Sequence, residues 1–200
     1  GLDGNGQDDF VKILAGVQTS HGGTTEILDS NENFLKYNSL DDAKNNGISF
    51  VSGDRKKEGI LPNLSIYENL VIPLYKKTSK AGFLGFVNWM ELNGIFDWEV
   101  ERLSIKTGPR DNLIGSLSGG NQQKVMIARS FAQHPKVLIL NDPARGIDVS
   151  TKRDLYVHLR KYVEEGNTVV FLSSELEEFI GLCPKVMVFR NGTVFDIFEN

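Results

Sequence analysis

The stretch Leu117-Ser118-Gly119-Gly120-Asn121-Gln122-Gln123-Lys124 opens a helix with one serine, two glycines and no bulky side chain to cover the helix start. Ser118 is a natural N-cap, and the first amides of the helix lack intrahelical partners, so this end favours an anion such as phosphate. Val125, Ala128 and Ala132 form one apolar stripe with Ile127 and Phe131 beside it, and Gln133-His134-Pro135 ends the helix. Val137-Leu138-Ile139-Leu140 follows, a short apolar run suited to a strand buried on both faces. Asn141-Asp142-Pro143 then sets polar groups at the carboxyl edge of that strand, where parallel sheets bind ligands.

Working outward, Ile48–Val51, Thr168–Leu172 and Val186–Phe189 read as further strands, Thr168–Leu172 as a buried one. Asp148 or Ser150 caps a helix with Leu155, Leu159, Tyr162 and Val163 on one face, ended by Gly166, and Ser174–Ile180 reads as a short helix. Asn191-Gly192 is a two-residue hairpin signal leading into Thr193–Phe198. Strands alternating with helices predict an α/β fold with a mainly parallel sheet and an antiparallel addition.

Leu117 to Asp148 resembles the signature motif, Walker B strand and D-loop of an ATP-binding-cassette (ABC) ATPase. With Asn121-Gln122-Gln123-Lys124 and Arg145-Gly146-Ile147-Asp148, it is most similar to the second cassette of the double-cassette ATPases of sugar and nucleoside importers. The resemblance implies a P-loop NTPase-like core, divided as 1–62 and 117–200, with a small helical subdomain at 63–116. It implies ATP and Mg²⁺ as cofactors. The implied partners are a second cassette, expected as the other half of the same longer chain, membrane permease subunits, and indirectly a solute-binding protein. The implied location is peripheral, on the cytoplasmic face of the cell membrane. No residue singled out here contacts the transported solute.

Gly1-Leu2-Asp3-Gly4-Asn5-Gly6-Gln7-Asp8-Asp9 is a glycine-rich loop running into a helix, with Phe10, Ile13 and Leu14 at helical spacing. Its glycine spacing fits a phosphate-cradling P-loop, in which successive amides curl around an anion. The chemistry departs from the working pattern. Where Lys meets the β- and γ-phosphates and Ser or Thr holds Mg²⁺, this chain has Gln7 and Asp8, with Asp9 following. Carboxylates here repel a triphosphate, by roughly 1 to 4 kcal/mol per close pair. A P-loop also needs a strand to feed it, so the reading expects a chain N-terminally truncated from a longer one, without the aromatic residue that stacks on adenine in the family.

By the same resemblance, Asn141 stands at the Asp that holds Mg²⁺, Asp142 at the Glu that polarises water, and Ser174 at the His that senses the γ-phosphate. Gly53 and Asp54 occupy the loop where the family carries a Gln. Gln7, Asp8, Asn141, Asp142 and Ser174 are thus altered together, while the signature is intact. In the family the two cassettes pack head to tail, each signature completing the ATP site of the other. The expectation is therefore a degenerate half that lends Ser118, Gly119, Gly120 and Asn121 to its partner's ATP, with Asp148 linking the sites. The alternative, from a different class, is a non-hydrolytic nucleotide-binding regulatory or interaction module. Five substitutions argue against a self-sufficient ATPase.

Elsewhere the sequence is less specific. Residues 16–47 are polar and turn-rich, with a short strand at Thr24–Leu28, a helix capped by Ser39, and His21 as a loop residue. Ser65 with Glu68 completes a capping box. Phe83, Phe86, Trp89, Met90, Phe96 and Trp98 either form the core of the small subdomain or line a groove for a membrane partner's helix, and exposure of two or more favours the groove. The net charge of −4 without a basic block excludes a broad nucleic-acid footprint. Cys183, alone, forms no internal disulfide.

Overall fold

The structure, a computed structural model, describes residues 4–29, 31–75, 79–80 and 86–199, and of Ser79, Lys80 and Phe86 only the backbone. Gly1 of the glycine-rich loop and Phe83 lie outside the described residues. In chain order the elements are α1 (Gln7–Leu14), β1 (Thr25–Leu28), β2 (Phe34–Tyr37), α2 (Leu40–Asn45), β3 (Ile48–Val51), α3 (Ile66–Val71), β4 (Ser79–Lys80) and β5 (Phe86–Val87). They continue with α4 (Trp89–Arg102), α5 (Gly119–Phe131), β6 (Val137–Asn141), α6 (Val149–Glu164), β7 (Thr168–Leu172), β8 (Lys185–Arg190) and β9 (Thr193–Glu199). The chain divides into two compact units, one of Gly1–Phe50, Pro135–Pro143 and Arg160–Asn200, the other of Val51–His134 and Ala144–Leu159.

In the first unit the sheet runs β3-β6-β7, with β6 and β7 parallel. Leu138, Ile139 and Leu140 are fully buried, as expected for a central strand flanked on both sides. Strand β7 is only half-buried, not buried as its apolar run predicts, because among the described residues it pairs with β6 alone. Helix α1 lays Val11 and Ala15, four residues apart, into a core with Tyr37, Ala43, Ile48 and Ile139. Strand β2, which the sequence reading lacks, pairs antiparallel with β1 and contributes only Tyr37 to that core. The hairpin β8–β9 turns at Asn191 and Gly192, both at positive φ as a primed turn requires. The expected helix at 174–180 is reduced to a single 3₁₀ turn, Leu176–Glu178.

The second unit is helical. Helix α3 starts with the predicted capping box, Glu68 N donating to Ser65 Oγ at 3.1 Å and Ser65 N to Glu68 Oε2 at 2.8 Å. Helices α3, α4 and α5 pack against one another, with Ile66, Leu70, Leu92, Val125 and Ile127 buried along them. Helix α4 buries Leu92, Phe96 and Glu99 and turns Trp89, Met90 and Trp98 outward, at 56%, 86% and 65% exposure, which favours the groove over the core for these three. Along α6, Leu155, Leu159 and Tyr162 form the buried stripe, while Val163 lies at its rim and is half exposed. No helix among the described residues is long and apolar enough to cross a membrane.

Candidate nucleotide site and signature

The residues singled out from the sequence fall into two groups, one in each unit. In the first unit, Gly4 and Gly6 take φ values of +83° and +91°, left-handed conformations that favour glycine. Gly6 ends the loop as the N-cap of α1, so Gln7, Asp8 and Asp9 form the first turn of that helix. A Cβ on Gly6 would also stand 3.0 Å from Gly192 Cα, because the β8–β9 turn packs on the loop. The turn amides of Asn191 and Gly192 donate to Asn5 Oδ1 and Asn5 O, at 3.0 and 3.1 Å. Sequence spacing carries no signal for that contact, which joins positions 186 residues apart.

Asp8 and Asn141 meet directly. Asn141 Nδ2 donates to Asp8 Oδ1 at 2.6 Å, and Lys12 Nζ pairs with Asp8 Oδ2 at 2.7 Å. Partial burial works against the Asp8 charge, but the Lys12 ammonium and the Asn141 amide outweigh it and hold the carboxyl below its usual range. Lys12 was readable as the i+4 partner of Asp8 on one helix face, although the motif reading passed over it. At the end of β6, Asp142 adopts φ +47°, its amide donating to Leu172 O at 2.8 Å. Its Oδ2 accepts the Ser174 hydroxyl at 3.3 Å. Asp8, Asn141, Asp142 and Ser174 therefore gather at one edge of the sheet.

This set does not fit Mg²⁺ held with a triphosphate. Both oxygens of the Asp8 carboxylate already accept from Asn141 and Lys12, and Asn141 contributes no charge. Among the described residues no three His, Cys, Asp or Glu are grouped so as to hold a metal ion.

The signature residues lie in the second unit. Ser118 caps α5, accepting the Asn121 amide at 3.4 Å and the Asn121 side chain at 3.1 Å while retaining its own hydroxyl proton to donate. Asn121 Oδ1 in turn accepts Lys106 N at 2.9 Å, and Gln122 Nε2 donates to Leu117 O at 3.0 Å, which fixes the loop before the helix. The first turn of α5 holds no acidic residue of its own, so its amides and the helix dipole favour an anion, with the Asp148 carboxylate standing beside Gly120. Gly120 leaves room for Ile147 and Asp148; its missing Cβ would lie 3.7 Å from Ile147 Cγ2 and 4.0 Å from Asp148 Oδ2.

Asp148 itself caps α6. Its carboxylate accepts Ser150 Oγ at 2.5 Å, Thr151 N at 2.9 Å and Thr151 Oγ1 at 2.8 Å, and these bonds hold its carboxyl well below the usual range. Arg55, seven residues after β3 begins, was missed by sequence reasoning: its Nη1 donates to Gly119 O at 2.9 Å.

The sequence matches the ABC transporter family over residues 1–145. The chain belongs to the ABC transporter ATP-binding family. This cassette is 38% identical over 199 residues to a ribose import ATP-binding protein RbsA of Bacillus cereus, covering 100% of this chain and 39% of that protein. It is 36% identical over 194 residues to the ribose import ATP-binding protein RbsA of Roseobacter denitrificans, covering 97% and 37%. The chain thus spans about two fifths of the length of these curated relatives. In structure the cassette is similar to the ATP-binding cassette MJ0796 in a dimeric, post-hydrolysis state bound to ADP and Pi. That likeness has a TM-score of 0.81 at 22% identity, over 99% of this chain and 82% of that one. A nucleotide-free ATP-binding cassette from an ABC transporter gives a TM-score of 0.78 at 18% identity, over 99% and 78%. Both likenesses show the P-loop cassette fold. Cassettes of this family dimerise, work with membrane permeases and use ATP with Mg²⁺.

Proposed function

We propose that this cassette is the degenerate half of a sugar importer's ATPase, of the kind found in ribose import, and that it lends its signature to an ATP held by a partner cassette. The observation that carries the reading is the Asn141–Asp8–Lys12 cluster, in which the groups at the metal position satisfy one another. In this role Ser118 Oγ and the amides of Gly119 and Gly120 stabilise the γ-phosphate of the partner's ATP, as prepositioned donors do for developing charge. Asn121 holds Ser118 in place. Asp148, rigid as the cap of α6, links the two sites. ATP and Mg²⁺ belong to the shared site on the partner's P-loop side, and the cassette's own loop, with Gly4, Gly6, Gln7, Asp8 and Asp9, binds nucleotide weakly or not at all.

The membrane permease is the second partner. Trp89, Met90 and Trp98 on the outer face of α4, within the helical subdomain at 63–116, support that reading by their exposure. The cassette is then held peripherally at the cytoplasmic face of the membrane. The transported solute is a sugar by homology to the ribose import proteins.

The test compares two substitutions in the assembled transporter. Ser118→Arg fills the anion site with a bulky side chain and abolishes transport-coupled ATP hydrolysis, whereas Asp142→Ala changes it less than about twofold. Equal loss in the two variants refutes the assignment.

A further inference from the structure

Residues 52–59 stand where ABC cassettes carry a glutamine, and in this chain they are strapped to the signature helix at two points. The segment has its own internal ties: Ser52 Oγ donates to Glu58 Oε2 at 2.6 Å, Asp54 N to Ser52 Oγ at 3.1 Å and Lys57 N to Asp54 Oδ1 at 3.1 Å. It closes as a five-residue π-helical turn, Arg55–Gly59, with Ile60 N bonding Arg55 O at 2.9 Å. At one end the Arg55 guanidinium donates to the carbonyl of Gly119, the first residue of α5, at 2.9 Å. At the other, Gly59 packs on Met126 and its carbonyl accepts the half-buried Arg129 guanidinium, two and three turns further along the same helix.

The guanidinium lies flat against Gly119. A Cβ there would stand 3.0 to 3.3 Å from Nη2, Nη1 and Cζ, so the first glycine of the signature is also what admits Arg55. A cation at the positive end of a helix is electrostatically disfavoured, and with no acidic residue in the first turn of α5 and only the Asp148 carboxylate beside Gly120, an arriving anion relieves the excess positive charge. From these contacts we infer that Arg55 is a positioning residue for the signature: it fixes the Gly119 peptide and places a positive charge beside the start of α5. The segment 52–59 and the signature helix then respond to an anion as one body. This inference rests on the proposed lending of the signature.

The experiment uses the assembled transporter with Mg-ATP and three variants of this cassette. Arg55→Met keeps much of the side-chain bulk and removes the charge and the donor; Arg55→Lys keeps the charge and one donor; Ser118→Arg reports on the signature itself. With Arg55→Met, kcat for ATP hydrolysis falls about tenfold, the loss expected of one charge-assisted hydrogen bond. KM for ATP stays within twofold, because the nucleotide is held by the partner's P-loop. Arg55→Lys recovers part of the loss. Amide hydrogen exchange of residues 117–124 quickens in Arg55→Met while that of 137–141 stays as in the parent.

Unchanged kcat and unchanged exchange in Arg55→Met, with hydrolysis abolished by Ser118→Arg, overturn the inference and leave the signature role standing. Loss of kcat with faster exchange across both segments reduces Arg55 to a packing residue and also overturns it. Hydrolysis that survives Ser118→Arg overturns the signature role itself.

Discussion

Replacing Asn141 by aspartate would put at this position the acidic residue that the family resemblance implies, and in this chain it should be harmful. Asn141 Nδ2 sits 2.6 Å from Asp8 Oδ1, and residue 141 is only 8% exposed. Asn141→Asp turns a donor into a second carboxylate, partly stripped of water, facing a first one. Two unit charges about 4 Å apart interact by about 4 kcal/mol at an effective dielectric near 20. Asp8 has half of its side chain exposed and Lys12 at 2.7 Å, which together cut that repulsion to about 2 kcal/mol. The lost hydrogen bond to a charged group adds about 1 kcal/mol after the same discount.

The expected cost is about 3 kcal/mol at pH 8, a fall in Tm of about 6 to 12 °C for a chain of this size. Thermal unfolding followed by circular dichroism measures it, and the deficit shrinks toward pH 4 as one carboxylate takes up a proton. The swapped pair, Asp8→Asn with Asn141→Asp, again has one carboxylate facing one amide and should regain all but about 1 kcal/mol. Asn141→Asp melting within 1 °C of the parent at pH 8 refutes the reasoning. A double variant as unstable as the single would show that the two side chains do not act as a pair.

Two further expectations concern the helical unit. Glu99 is buried, with Oε1 3.3 Å from Arg102 Nη1 and Oε2 without a partner among the described residues; burial pushes its pKa up to about 7 against the pull of Arg102. A folded-state pKa above the ordinary value near 4.5 means that stability is full below about pH 4.5, declines as pH rises to about 7 and is flat above. Glu99→Gln should therefore be more stable than the parent at pH 8, by about 1 to 2 kcal/mol once the weakened Arg102 contact is deducted from a ceiling of about 3. That gain vanishes by pH 4.5, and one independent of pH counts against the buried carboxylate as its source. Gly59→Ala puts a methyl group into the space of the buried Met126 side chain and should cost about 1 to 2 kcal/mol in urea unfolding, whereas in a Met126→Ala background, itself destabilised by its cavity, the same substitution should cost little; a neutral Gly59→Ala in the parent would contradict the close packing.

Short-range features were legible in the sequence because three or four residues of helix or turn fix their geometry. The Ser118 cap, the Ser65–Glu68 capping box, the Asn191-Gly192 turn and the buried β6 run are all of this kind. Strand β2 escaped because Phe34, Leu35 and Lys36 are exposed and follow no apolar alternation; only its pairing with β1 makes Phe34–Tyr37 a strand. The residue types at 7, 8, 141, 142 and 174 raise the expectation of a departure from the working cassette. What those residues do instead was decided by the path of the chain. It brings Asn141 to Asp8 across 133 positions, Arg55 to Gly119 across 64 and Asn191 to Asn5 across 186. Local backbone geometry cannot encode such pairs, since each exists only where packed helices and strands carry two distant side chains within hydrogen-bond reach.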